Sequence, residues 1–194
     1  ESVFPDNSWA VGPQIKKWVA ETIDVLKKYK EAFRDAGHNI VSIELSGERL
    51  GENGEKILTP YKIATSASRL PNTGDAADKS FEELSKLRAE AAAAYLKEEF
   101  NNAFGPETIN IEPELDYKGL NGSAEPTNPK VVGTSGPPWD NTKDRLKYEQ
   151  YKYCDIIIHF KFNIEVPNSF AEEAGHTPTF IKFGDWKMQI GVKK

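Results

Sequence analysis

A single cysteine in 194 residues rules out any intrachain disulfide, so packing and hydrogen bonds must hold whatever fold this chain adopts. That one thiol, Cys154, does not fix a redox compartment. Positive charge is also short. Lys and Arg number 25 against 30 Asp and Glu, a net charge of −5, which leaves no basic excess to displace counterions from a nucleic-acid backbone. No apolar run approaches the roughly 20 residues that a membrane-spanning helix needs. Histidine is scarce, and His38, His159 and His176 are isolated from one another and from cysteine, so the spacing of a zinc site is missing. Phosphate loops, dinucleotide fingerprints and the Gly-x-Ser-x-Gly elbow do not occur. Glu112 and Glu114 are paired acids without an apparent acid/base partner. These absences point away from an enzyme and from any cofactor or metal. The chain starts at Glu1, which a removed signal peptide, a removed propeptide or a fragment would each give.

What is present suits one domain with elaborations: 38% hydrophobic and 28% charged residues. Val3-Phe4-Pro5 is a short apolar start, the possible end of a first strand. Pro13 then opens a helical pattern over 14–36, with Ile15, Trp18, Val19, Thr22, Val25, Leu26, Tyr29 and Phe33 at three-and-four spacing. Lys and Arg crowd its later turns, and Gly37 closes it. Residues 39–46 alternate as a strand, Val41, Ile43 and Leu45 against Ser42, Glu44 and Ser46, and 47–51 read as the loop that ends it. Between 51 and 79 the pattern weakens; 56–63 suggest an extra strand or hairpin around Pro60, and 66–78 an exposed loop.

The clearest helix is 80–104, rich in Ala, Leu, Glu and Lys and free of Gly and Pro. Its stripe reads Leu84, Leu87, Ala91 and Tyr95, with Arg88 beside it. A guanidinium there faces the seam between helix and sheet, where its fork of donors suits an internal carboxylate or an external one. A strand broken at Pro113 follows over 108–117. Residues 119–139 are crowded with Pro and Gly, 144–151 suit one or two polar helical turns, and Trp139, within Gly136-Pro-Pro-Trp-Asp140, is the best candidate for an exposed anchor. The strongest strand is 151–166, with Cys154 through Val166 apolar at alternate positions and His159 on the wet face. The tail reads as a hairpin, 179–183 and 186–192 about Gly184-Asp185, with Trp186, Met188, Ile190 and Val192 on one face. Strand, helix, strand, helix, strand and strand, with helices on one face of a small mixed sheet, make an α+β two-layer sandwich.

Several motifs occur in the order of one family. Asn7-Ser8-x-x-Val11-x-Pro13 enters the first helix, Ile43-x-Leu45-x-Gly47 closes the second strand, Leu84-Ser85-x-x-Arg88-Ala89 lies in the second helix, Gly119-Leu-Asn-Gly122-Ser-Ala-Glu-Pro126 follows the third strand, and Lys152-Tyr153-Cys154-Asp155-Ile156 lies in the fourth. This series resembles the OmpA-like domain of bacterial envelopes. The resemblance implies a βαβαββ core over 1–166, with insertions at about 51–79 and 119–150; the hairpin read from the residues then makes a C-terminal extension over 167–194. It also implies a non-enzymatic peptidoglycan-binding module of the periplasm or cell envelope.

The family grips the zwitterion of the peptide stem with an aspartate after strand two and the arginine of helix two. Carried over, this makes Arg88, Ser85, Gly47, Glu48 and Lys152 the ligand-binding candidates. Three family positions differ. The aspartate falls on Leu50, an asparagine on Phe81, and the second arginine of strand four on Tyr153; Glu48, Glu52 and Asp78 are the acids available as replacements. Arg88 therefore carries two readings, a ligand clamp or a structural arginine paired to Asp155 or a loop acid. The second belongs to a structural or assembly module that keeps the fold for its shape. Such a module would bind protein partners through 51–79, 119–150 and the tail hairpin, in an envelope complex or a virus particle.

Overall fold

The computed structural model describes residues 3–5, 7–67, 74–107, 109–120, 154–165 and 181–190. Two long helices, α1 (Pro13–Asp35) and α2 (Phe81–Phe104), pack on one face of a mixed sheet made of β1 (Asn39–Leu50), β2 (Lys56–Thr59), β3 (Lys62–Ala67), β4 (Ile109–Asn110), β5 (Glu114–Leu120), β6 (Cys154–Glu165) and β7 (Ile181–Ile190). The α+β expectation holds at that level.

The sheet is built around β6. One edge of β6 pairs antiparallel with β7. The other edge is shared, with β1 covering its second half, from Ser46 opposite His159 to Asn39 opposite Glu165, and β3 its first half, from Lys62 opposite Ile157 to Thr65 opposite Cys154. The parallel pairs β1–β4 and β3–β5 extend the sheet beyond these two. Thus β1 and β3 behave as one strand interrupted by an arm over 47–61. In the arm the far half of β1 pairs with β2, Gly47 opposite Thr59 and Leu50 opposite Lys56. Gly54, at φ 80°, turns its tip.

The expected loop at 47–51 is therefore a continuing strand, because β2 supplies new backbone partners where β1 leaves the β6 ladder at Gly47. Gly47 is the pinch where the arm leaves the sheet. A Cβ there would sit 2.7 Å from the Pro60 carbonyl oxygen and 3.1 Å from the Tyr61 Cα.

The core lies between the helices and the inward positions of β6. Ile156, Ile158, Phe160, Phe162 and Ile164 form one cluster with Ile15, Val19 and Leu26 of α1 and Ala89, Ala92, Leu96 and Phe100 of α2. Phe100 stacks on Phe160 at 6.1 Å between ring centres, while Tyr29 and Phe33 of α1 approach Phe162 at 6.0 and 6.1 Å. The alanines of α2 let that helix lie close to the sheet.

Three further expectations change. Val3 and Phe4 are buried but form a bend rather than a strand. The described part of the tail, 181–190, is one continuous strand instead of the two arms of a hairpin, since β6 offers an open edge along most of its length and pairing with it forms more ladder bonds than a short local turn. Gly184-Asp185 falls at the register shift between Phe183 opposite Phe162 and Trp186 opposite Phe160, so it marks a bulge instead of a turn. The buried stripe of α2 is also rotated. It runs through Leu84, Ser85, Arg88, Ala89, Ala92, Leu96, Phe100 and Phe104, leaving Leu87, Ala91 and Tyr95 half-buried at its border. Phe100 and Phe104 anchor the stripe.

His159, expected in solvent, is only 6% exposed, because β6 is the central strand and is flanked by β1 and β7. Gly119 and Leu120, expected to open an irregular insertion, continue β5; the rest of that insertion, 121–150, with the remainder of the Gly119–Pro126 motif and Trp139, lies outside the described residues.

Gly47→Ala is expected to lower the free energy of unfolding by about 1–3 kcal/mol, the usual range for forcing extra bulk into a packed site. Urea titration of the two proteins measures it, and an unchanged midpoint would contradict the pinch.

Candidate functional site

The site is set by where α2 begins. Ser80 caps the helix: its hydroxyl accepts from the Glu83 N–H at 3.1 Å, and the Glu83 carboxylate accepts from the Ser80 N–H at 2.7 Å. That reciprocal box fixes the phase of the first turns. The bond to Ser80 holds the Glu83 carboxyl below its usual range. Two turns on, the phase points Arg88 inward. The side chain is 2% exposed. Its Nε donates to the Ser8 carbonyl at 3.0 Å and its Nη1 to the Ser66 carbonyl at 3.1 Å. The Phe4 ring lies 5.3 Å from the guanidinium carbon, a cation–π distance.

Three separate stretches thus meet at one side chain: the segment before α1, the end of β3, and α2. Ser85 belongs to the same seam. Its carbonyl accepts from the Thr65 hydroxyl at 2.6 Å, and its own hydroxyl donates to the Glu82 carbonyl at 2.8 Å. The seam is polar but internally satisfied, as a buried charge requires.

The other candidates are not gathered here. Gly47 lies at the neck of the arm, and β3 stands between it and the Ser66 carbonyl that Arg88 holds. Glu48 is on β1 as the arm leaves the sheet; its side chain lies outside the described residues, as does all of Lys152. Leu50, where an aspartate was expected by alignment to Gly47, sits near the arm's tip and is 70% exposed. The stretch that approaches Arg88 is the one leaving β3 at Ser66, past the inserted arm. Phe81 is half-buried against Ala67, Ala76 and Leu84. Glu52 and Asp78 are exposed, and Asp78 pairs with Lys79 at 2.9 Å, which keeps the Asp78 carboxyl below its ordinary range.

The partners of Arg88 could not be read from the sequence because two of them are backbone carbonyls, which carry no side-chain signature. The capping box, by contrast, is written in Ser80 and Glu83. Among the described residues no group of three or more His, Cys, Asp or Glu is placed to hold a metal ion, and no helix is long and apolar enough to cross a membrane.

Two buried groups are perturbed in one direction. Burial, with the Asp155 charge adding to it, pushes the Cys154 thiol up. Burial and then Glu112 push up the Tyr61 hydroxyl. Both stay protonated in the fold at pH values where the unfolded chain ionises.

Arg88→Ala is expected to destabilise the fold by roughly 3 kcal/mol or more, because it strands two buried carbonyls and removes the ring contact. Arg88→Lys keeps the charge but cannot reach both carbonyls, so it should recover only part of that loss in thermal denaturation. Stability should also fall as pH rises past about 8.5, where an unfolded thiol loses its proton and the folded one does not. Cys154→Ala should flatten the first part of that decline, read as denaturation midpoints at increasing pH.

No known protein family, curated protein or solved structure matches this chain.

Proposed function

We propose that this chain is a non-enzymatic structural or assembly module on an OmpA-like framework, working in an envelope complex or a virus particle. The observation that carries the reading is the burial of Arg88, whose Nε and Nη1 donors go to carbonyls of its own chain. A side chain used this way ties the N-terminal segment to the sheet, which is a task of shape.

The framework rests on sequence order: α1, strand, α2, then the strands β5 and β6, with both helices on one face. The arm is the surface a partner would meet. It projects from the sheet at Gly47 and exposes Leu50. The outer edge of β2 pairs with no strand among the described residues, so it offers backbone groups to an incoming strand.

A second reading, binding of the peptidoglycan peptide stem, is favoured by the place of Arg88. It sits where β3 hands over to the segment leading to α2, the junction at which the family grips its ligand. In that reading the ligand's carboxylate competes with the Ser8 and Ser66 carbonyls for the guanidinium.

Sedimentation with purified peptidoglycan separates the two when Arg88→Lys is run beside the wild type and both are melted in parallel. The assembly reading expects neither protein to pellet with the wall and the variant to melt lower. Pelleting of the wild type, lost in Arg88→Lys at an unchanged melting temperature, would contradict it and establish wall binding. In the assembled native particle or complex, a photo-crosslinker placed at Leu50 should join this chain to a neighbouring protein.

A further inference from the structure

At the pole of the sandwich opposite the start of α2, the end of α1, the end of α2 and the first residues of β1 border an open surface pocket of about 300 Å³. Phe104 of α2, which lines it, is about 24 Å from Arg88 along the helix axis at 1.5 Å per residue, so the two places are distinct. The chain is acidic overall, yet the α1 wall of this pocket presents Lys27, Lys30 and Arg34 against one acid, Glu31. His38 completes the polar side, and its Nδ1 is buried without a hydrogen-bond partner among the described residues. Ile40 and Phe104 supply an apolar wall.

Basic residues near a helix C-terminus have an ordinary role, complementing the dipole and the last carbonyls. That role does not account for this cluster. The carbonyls of Ala32, Phe33 and Arg34 already accept from the N–H groups of Ala36, His38 and Gly37. Dipole effects also fade beyond the last turn, whereas Lys27 and Lys30 lie further back on a helix that ends at Asp35. Within the cluster Lys30 and Arg34 are like charges four apart and Lys27 and Lys30 three apart, arrangements that disfavour a helix. The pair of Arg34 with Asp35, at 3.1 Å, is about two-thirds exposed on both sides and so contributes little and is readily exchanged. A bound anion would relieve this repulsion.

We propose that the pocket binds a small organic anion, a carboxylate or phosphate carried on a flat apolar group. The oxyanion sits against Lys30 and Arg34, and the apolar group lies on Phe104 and Ile40. The volume is at the lower end for small-molecule sites, which run from roughly 300 to 1,000 Å³.

The test is a titration of the isotope-labelled chain with phenyl phosphate, benzoate and inorganic phosphate at constant ionic strength, followed at the backbone amides of His38 and Asn39. Saturable shifts are expected with phenyl phosphate, with benzoate, or with both. A response to only one identifies the anion as a phosphate ester or a carboxylate. Inorganic phosphate should bind more weakly than its phenyl ester. The double variant K30Q/R34Q should weaken binding by about tenfold or more, about 1.4 kcal/mol. K16Q/K17Q, at the other end of α1, should leave it unchanged. Absence of a saturable shift with both organic probes would overturn the proposal. So would equal weakening in the two double variants, which would mark general charge attraction, or equal binding of inorganic and phenyl phosphate.

Discussion

A guanidinium buried to 2% exposure is the constraint on which the rest of this structure depends. Removing such a charge from water costs several kcal/mol, and the cost is recovered only where donors find acceptors in good geometry. For Arg88 those acceptors are the carbonyls of Ser8 and Ser66, and the Phe4 ring covers the flat face. Each feature around it can be read as a condition for that arrangement. The Ser80–Glu83 box sets the helix phase. Thr65, reaching the Ser85 carbonyl, locks β3 to the same turn of α2. Phe4, in a bend rather than a strand, is held where the guanidinium can use it.

The sheet supplies the second constraint. β1, β3 and β7 all pair with β6, and its inward residues form the floor on which both helices lie. Because β1 and β3 share one of its edges, the chain can insert an arm between them without breaking the ladder. The cost is confined to Gly47, where the strands on either side of the arm come too close for a side chain. Insertion at such a point lets a compact domain acquire a projecting surface while its core packing is kept.

Much of this was legible in the sequence, and the reasons differ by element. Both helices follow from three-and-four spacing, with Pro13 opening the first and the Gly- and Pro-free run 80–104 marking the second. β6 follows from strict alternation between Cys154 and Val166. The stripe of α2 was displaced by one residue because Ala89 and Ala92 carry no stronger apolar signal than Ala91, and because an arginine is not an expected member of a core face. The tail failed for a related reason. Gly184-Asp185 has the chemistry of a tight turn, but the open edge of β6 lies far away in sequence and cannot be read locally. The arm misled the alignment. By sequence Gly47 ends a strand and puts the acid position at Leu50; in the fold the β6 ladder resumes at Lys62, and the stretch that meets Arg88 begins at Ser66.

The most direct test of the central claim is solvent exchange of the Arg88 Nε–H, followed by NMR on labelled protein. An Nε–H held by the Ser8 carbonyl in a buried site should exchange far more slowly than that of exposed Arg34, and its signal should be unmoved by peptidoglycan fragments. Exchange as fast as that of Arg34 would contradict the account, because the guanidinium would then be open to solvent and available to a ligand.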